Sequence, residues 1–178
     1  VAGNEADGRR WRDEYLKLTY GCGEYQPYES LVRIAATRAG LPESLQKDLD
    51  AAWETLQPWD DALPVLQALA RTHRLGVVTN CSQRLGQVAA RRVGVVFDVV
   101  VTAERAGFYK PDPAPYRLAV RELALEAGEI LFVAGSAARL IALDTASGAQ
   151  RWERDAGVNA PLASDGRTVT CGAAAWRL

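Results

Sequence analysis

Trp11, Tyr15, Leu18 and Thr19 fall at i, i+4, i+7 and i+8, the spacing of one helix face. Gly21-Cys22-Gly23 ends that stripe. A second stripe runs through Leu31, Ile34, Ala35 and Arg38 and stops at Gly40 and Pro42. A third spans Glu43 to Leu56, with Leu45, Leu49, Ala52, Trp53 and Leu56 on one side. Residues 1–60 therefore predict a small helical module. From Pro58 the pattern changes. Leu63–Thr72 is amphipathic, and Leu75–Thr79 is a short apolar run of strand type. Ser82 is placed to cap a helix with Leu85, Val88, Ala89 and Arg92 on its buried side, closed by Gly94. Phe97–Thr102 is a second apolar run and Ile130–Ala134 a third. Between them Asp112-Pro113 starts a helix lined by Tyr116, Ala119, Val120 and Leu123. Apolar strands alternating with helices predict an α/β core with a parallel sheet covered on both faces.

After Arg139 the pattern changes again. Leu140–Asp144, Thr145–Gly148 and Ala149–Arg154 read as strand, turn and strand, and Asp165-Gly166 is a turn ahead of a strand at Arg167–Cys171. Ala134–Leu140 resembles Cys171–Leu178 at an offset of 37 to 38 residues. That is the period of a propeller blade, a unit that relies on neighbours to bury its faces. The expected organisation is thus a helical module at 1–60, an α/β core at 61–139 and a β-rich tail at 140–178.

The chain has 178 residues, 48% of them hydrophobic, enough for a real core. Its 21 Lys and Arg nearly balance 22 Asp and Glu, which gives no basic footprint for nucleic acid and no polybasic patch for a membrane. No apolar run reaches the length of a membrane span. Cys22, Cys81 and Cys171 stand in no metal or disulfide spacing, and the N-terminus has no secretory pattern, so a cytoplasmic protein is expected. One His leaves little material for imidazole metal sites. The absence of Met and the start at Val1 suggest an incomplete natural reading frame.

Three segments carry candidate chemistry. Thr79, Asn80 and Ser82 follow a strand, where open α/β sheets bind ligands, and a hydroxyl and an amide there can hold an anionic oxygen. The same residues also suit a turn and a helix cap. Lys110 precedes the stiff Pro111-Asp112-Pro113 helix start, and its ammonium is aimed so that it can neutralise a carboxylate or phosphate. A lysine there is also ordinary surface decoration. Gly135-Ser136 places small residues at a third strand end. His73 reads as a solvated helix-end residue, and Cys81 lacks a basic partner in sequence. Trp11, Trp53 and Trp59 read as packing and interface residues of the helical module rather than ligand-stacking ones, and Trp152 and Trp176 as repeat positions of the tail.

In order and spacing, Val77-Val78-Thr79-Asn80, Tyr109-Lys110-Pro111-Asp112 with Tyr116, and Phe132–Ser136 resemble the second, third and fourth motifs of the haloacid dehalogenase (HAD) superfamily of hydrolases. They are most similar to its L-2-haloacid dehalogenase branch, and the stretch from Trp11-Arg12 to Asp60 resembles that branch's cap. The resemblance implies a Rossmannoid parallel sheet with a helical cap. It implies hydrolysis of a carbon–halogen bond in a small 2-haloacid, through an ester on a nucleophilic Asp, with no cofactor and no metal. Thr79 and Asn80 would bind the carboxylate or leaving group, Lys110 would offset its charge, and Tyr116 and Ser136 would complete the pocket. Arg12 would also bind the substrate, and with Tyr15 and Tyr20 it would shut out water from the cap.

The first motif of that family, an apolar strand ending in the nucleophilic Asp, has no counterpart here. Asp7 in Ala6-Asp7-Gly8 follows no apolar strand, and Arg139 stands where an acid is expected. The central first strand of the sheet is therefore expected to be missing, with open edges that favour a homodimer or another strand. Residues Ala142-Leu143-Asp144-Thr145, Gly148 and Trp152 resemble a pyrroloquinoline-quinone-type propeller repeat. Three readings follow: a dehalogenase-like hydrolase inactive as this chain, a non-catalytic remnant or binding module that keeps a small carboxylate pocket, and a propeller-derived structural segment.

Overall fold

The computed structural model describes residues 3–126 and 129–130, and the backbone strands at 132–136, 139–143, 150–155, 162–164, 168–171 and 174–177. The architecture is α/β. By contacts the chain divides into two compact units. One comprises Val1–Gln57, Val77–Arg92 and Val100–Pro115, and the other Pro58–Gly76, Val93–Val99 and Tyr116–Leu178.

Three helices open the first unit: α1 (Glu5–Gly21), α2 (Tyr28–Arg38) and α3 (Leu45–Ala52), the last followed by a 3₁₀ turn at Trp53–Thr55. Asn4 starts α1 by accepting the Asp7 amide at 2.9 Å. The stripe of α1 packs as its spacing dictates, with Trp11 and Thr19 buried and the Trp11 indole donating to the Val32 carbonyl at 2.8 Å. In α2 the buried face is rotated from the expected one. Tyr28, Leu31, Val32, Ala35 and Ala36 are buried, while Ile34 is 41% exposed and Arg38 lies in solvent. Small Ala35 and Ala36, at 0% exposure, allow close packing within this cluster, and a face with Ile34 and Arg38 would not. Trp53 meets Tyr28 edge-on at 6.2 Å, whereas Trp59 is 85% exposed and does not pack into the core.

The apolar runs at 75–79 and 97–102 form β1 (Gly76–Thr79) and β2 (Val99–Thr102), a short parallel pair joined through α5 (Gln83–Val93). Gly94, at φ +85°, closes α5 in the left-handed region that glycine adopts freely. Leu85 and Cys81 on this crossover are 1% exposed and share one apolar cluster with Trp11, Tyr28, Val32 and Tyr109. Gly86 permits the close approach of α5 to β2. A Cβ there would lie 2.3 Å from Thr102 Cγ2. After β2 come α6 (Ala103–Ala106), then α7 (Pro113–Leu123), which Asp112 caps by accepting the Ala114 amide at 2.7 Å. In the second unit lies α4 (Ala62–Leu69), with Val65 buried.

The third apolar run pairs differently from the expectation. It forms β3 (Phe132–Ser136), which joins β4 (Arg139–Leu143) and β5 (Gln150–Asp155) in an antiparallel three-stranded sheet. Ser136 pairs with Arg139, so the partner strand lies two residues away and closing this hairpin fixes far less chain than reaching a strand about fifty residues upstream. Among the described residues β1 has one strand neighbour, β2. The tail adds β6 (Leu162–Ser164), β7 (Thr168–Cys171) and β8 (Ala174–Arg177) as a second antiparallel sheet. The predicted turns at 145–148 and 165–166 lie outside the described residues, as do the side chains of Ser136, Trp152 and Trp176.

Candidate active site

The loop that leaves β1 is built around one amide. Asn80 Nδ2 donates to the Lys110 carbonyl at 3.0 Å, and the Lys110 backbone N–H donates to Asn80 Oδ1 at 2.8 Å. Both ends of the side chain are thereby used to fix the backbone of Lys110, whose bond to Pro111 is cis. The lysine then turns its ammonium back toward the strand, where Nζ donates to the Val78 carbonyl at 2.6 Å. A cation is thus held at the carboxyl end of β1, where its charge can act on an anion. Burial pushes the Lys110 pKa down, and the nearby Cys81 thiolate form opposes this more weakly.

Around this clamp the neighbours are aromatic. The Tyr15 phenol, on α1, donates to the Asn80 carbonyl at 2.8 Å. Tyr109 is 2% exposed, stacks on Tyr25 with ring centroids 5.3 Å apart and donates to the Gln26 carbonyl at 2.8 Å. The Tyr25 amide donates to the Gly107 carbonyl at 2.7 Å, so the segment leading to Lys110 is tied to the chain between α1 and α2. Burial raises the pKa of Tyr15 and of Tyr109, which keeps both phenols neutral donors. These three tyrosines position the site. Tyr15, on the first helical stripe, and Tyr109, next to Lys110, carry a signal in the sequence, and Tyr25 does not.

Thr79 is half-buried, its hydroxyl 3.6 Å from Cys81 Sγ. Ser82 does not cap α5. Its hydroxyl donates to Glu29 at 2.8 Å, and the Glu104 carboxylate takes the Gln83 amide at 2.6 Å instead. The acid that reaches the helix start is 21 residues away, beyond any local pattern. Arg84 adds an ion pair with Asp50 and approaches Glu29 at 3.7 Å. Tyr116 stands in α7, half-buried, and Ser136 ends β3. Both belong to the second unit. Arg12 is exposed on α1, and Tyr20 is 62% exposed. Asp7 is engaged at the start of α1, paired with Arg10 at 2.6 Å and with the Asn4 amide at 2.8 Å.

Cys81 is 1% exposed, and burial pushes its thiol up to about 11. Iodoacetamide at about pH 8 is expected to modify the half-buried Cys22 and to spare Cys81 until denaturant is added. Peptide mapping of the alkylated protein reads this directly, and early labelling of Cys81 would show that the loop opens in the native state. Among the described residues no three His, Cys, Asp or Glu side chains gather as a metal site requires. A separate cavity of about 410 Å³ lies within the helical module and is lined by Trp11, Arg12, Tyr15, Tyr28, Val32 and Leu49. Tyr15 is the side chain that both lines it and touches the β1 loop.

The clamped lysine stands at the carboxyl end of a parallel strand, where open α/β sheets bind ligands. Residues 4–146 match the haloacid dehalogenase-like hydrolase family, and the chain belongs to that family. It is similar to the (S)-2-haloacid dehalogenase of Xanthobacter autotrophicus, 28% identical over 137 residues, which are 71% of this chain and 54% of that protein. A Pseudomonas putida (S)-2-haloacid dehalogenase is 28% identical over 145 residues, 75% of this chain and 64% of that one. The human haloacid dehalogenase-like hydrolase domain-containing protein 3 is 34% identical over 114 residues, 62% and 41% of the respective chains. Among solved structures, an L-2-haloacid dehalogenase superposes with a TM-score of 0.57 at 32% identity, covering 67% of this chain and 57% of that one. The chain therefore spans between 41% and 64% of the length of these curated relatives. No helix among the described residues is long and apolar enough to cross a membrane.

Proposed function

We propose that this chain carries the substrate pocket of a 2-haloacid dehalogenase-type hydrolase and, as these 178 residues, does not turn over. The observation that carries the reading is the Lys110 ammonium held against the Val78 carbonyl by the Asn80 clamp. A fixed cation at that place binds a small carboxylate or offsets the charge of a departing halide. In this reading Asn80 is a positioning residue, and Thr79 and Lys110 meet the substrate. Residues 1–60 act as the cap, 61–139 as the core and 140–178 as a propeller-like appendage. The nucleophile is the missing part. Attack on the halogen-bearing carbon requires a free carboxylate aimed at it, which the family resemblance places at the end of an apolar strand, and Asp7 sits in the first turn of a helix with its oxygens paired.

The test is incubation with 2-chloropropanoate. Saturable binding without chloride release is expected, with affinity reduced at least about tenfold in Lys110→Ala, a loss of about 1.4 kcal/mol. Chloride release together with a trapped ester on any Asp or Glu would refute the inactive reading. Equal binding by Lys110→Ala would remove the pocket.

A further inference from the structure

The short segment 80–84 receives a side-chain contact from each of the opening helices. The Tyr15 phenol, on α1, donates to the Asn80 carbonyl at 2.8 Å. Glu29, on α2, accepts the Ser82 hydroxyl at 2.8 Å. Asp50, on α3, pairs with Arg84, whose guanidinium also stands 3.7 Å from Glu29. Of the helices, α3 depends most on its contact. None of its residues is buried, and Leu45 and Leu49 pack only half-buried against the apolar cluster. A helix with so little buried apolar surface belongs to the low-stability end of a fold. The Arg84 side chain is 54% exposed and that of Asp50 35%, so salt can screen the pair. The same segment carries Asn80, which fixes the backbone of Lys110, and Cys81, which is 1% exposed. Whatever loosens residues 80–84 therefore reaches the lysine and uncovers the thiol.

We propose that residues 80–84 are a latch, in which Arg84 grips Asp50 and Glu29 and so holds the segment closed around Asn80. Its release unfastens α3 and loosens the Lys110 clamp with it. Arg84 is thereby a positioning residue that acts on Lys110 through Asn80. Its bearing on substrate rests on the function proposed above, whereas the latch itself does not. The test uses Cys81 as the reporter. Prolonged alkylation of the full chain by iodoacetamide, an uncharged reagent, is followed by peptide mapping. Arg84→Gln and Asp50→Asn are each expected to label Cys81 about threefold faster than the parent, and the double variant no faster than Arg84→Gln. About 0.5 M NaCl is expected to speed the parent and leave Arg84→Gln unchanged. Arg74→Gln, which removes an ion pair of similar exposure with Asp98, is expected to label as the parent does. An unchanged rate in Arg84→Gln, effects that multiply in the double variant, a parent indifferent to salt, or equal acceleration by Arg74→Gln would each overturn the latch. For positioning, Arg84→Gln is expected to bind 2-chloropropanoate about threefold more weakly, and Arg84→Gln/Lys110→Ala no more weakly than Lys110→Ala. A loss that persists without Lys110 would overturn the positioning role. Faster Cys81 labelling beside binding indifferent to Lys110→Ala upholds the latch and sinks the pocket. Binding that needs Lys110 beside unchanged Cys81 labelling sinks the latch and spares the pocket.

Discussion

Gly86→Ala is expected to destabilise the protein by about 1–3 kcal/mol, seen as a lower urea midpoint with an unchanged slope. The added Cβ would sit 2.3 Å from Thr102 Cγ2 and 3.3 Å from Cys81 Sγ. Neither neighbour yields readily. Thr102 is 0% exposed and its hydroxyl is committed to Gln83 at 2.8 Å, while Cys81 is 1% exposed. Relief therefore requires α5 to move off β2, which disturbs the loop that carries Asn80. A midpoint equal to that of the parent would mean that helix and strand are not in the contact described. The paired variant Gly86→Ala/Thr102→Ser, which deletes the methyl that the Cβ strikes, is expected to recover part of the loss.

Asn80→Ala is expected to cost about 1–3 kcal/mol for each backbone group it leaves without a partner. One amide satisfies the carbonyl and the N–H of Lys110 together. The variant should also lose the Lys110 dependence of carboxylate binding, because the ammonium is then no longer fixed over Val78. Stability is read by denaturant melts, and positioning by comparing 2-chloropropanoate affinity in Asn80→Ala and in Asn80→Ala/Lys110→Ala. Equal affinities in these two proteins, against at least about a tenfold gap between the parent and Lys110→Ala, would establish the clamp. A gap that survives the loss of Asn80 would show that Lys110 orients itself.

Periodicity alone makes the helical module, the crossover helix, the Asp112 cap and the Gly94 stop legible in the sequence, because each is decided within a few residues. The face of α2 is not legible in the same way. Ile34 and Arg38 have the right spacing, and only packing against Trp11 decides that Val32 and Ala36 turn inward. Ser82 has the composition of a cap, but the competing carboxylate of Glu104 is remote in sequence. The strand at 132–136 is visible as a strand while its partner is not, since a buried apolar run reads alike whether it pairs locally or across the sheet. At the site, the motif residues Thr79, Asn80 and Lys110 can be picked out from the sequence. The use of the Asn80 amide and the support from Tyr15, Tyr25 and Tyr109 are tertiary facts with no spacing rule behind them.

The lysine at the end of β1 is anchored twice, by its own backbone through Asn80 and by its ammonium on Val78. A free lysine stem carries about 2 kcal/mol of rotamer entropy, and here that freedom is surrendered when the chain folds. An incoming anion consequently meets a charge already standing still, and the ordering that would otherwise weaken its capture has taken place before it arrives.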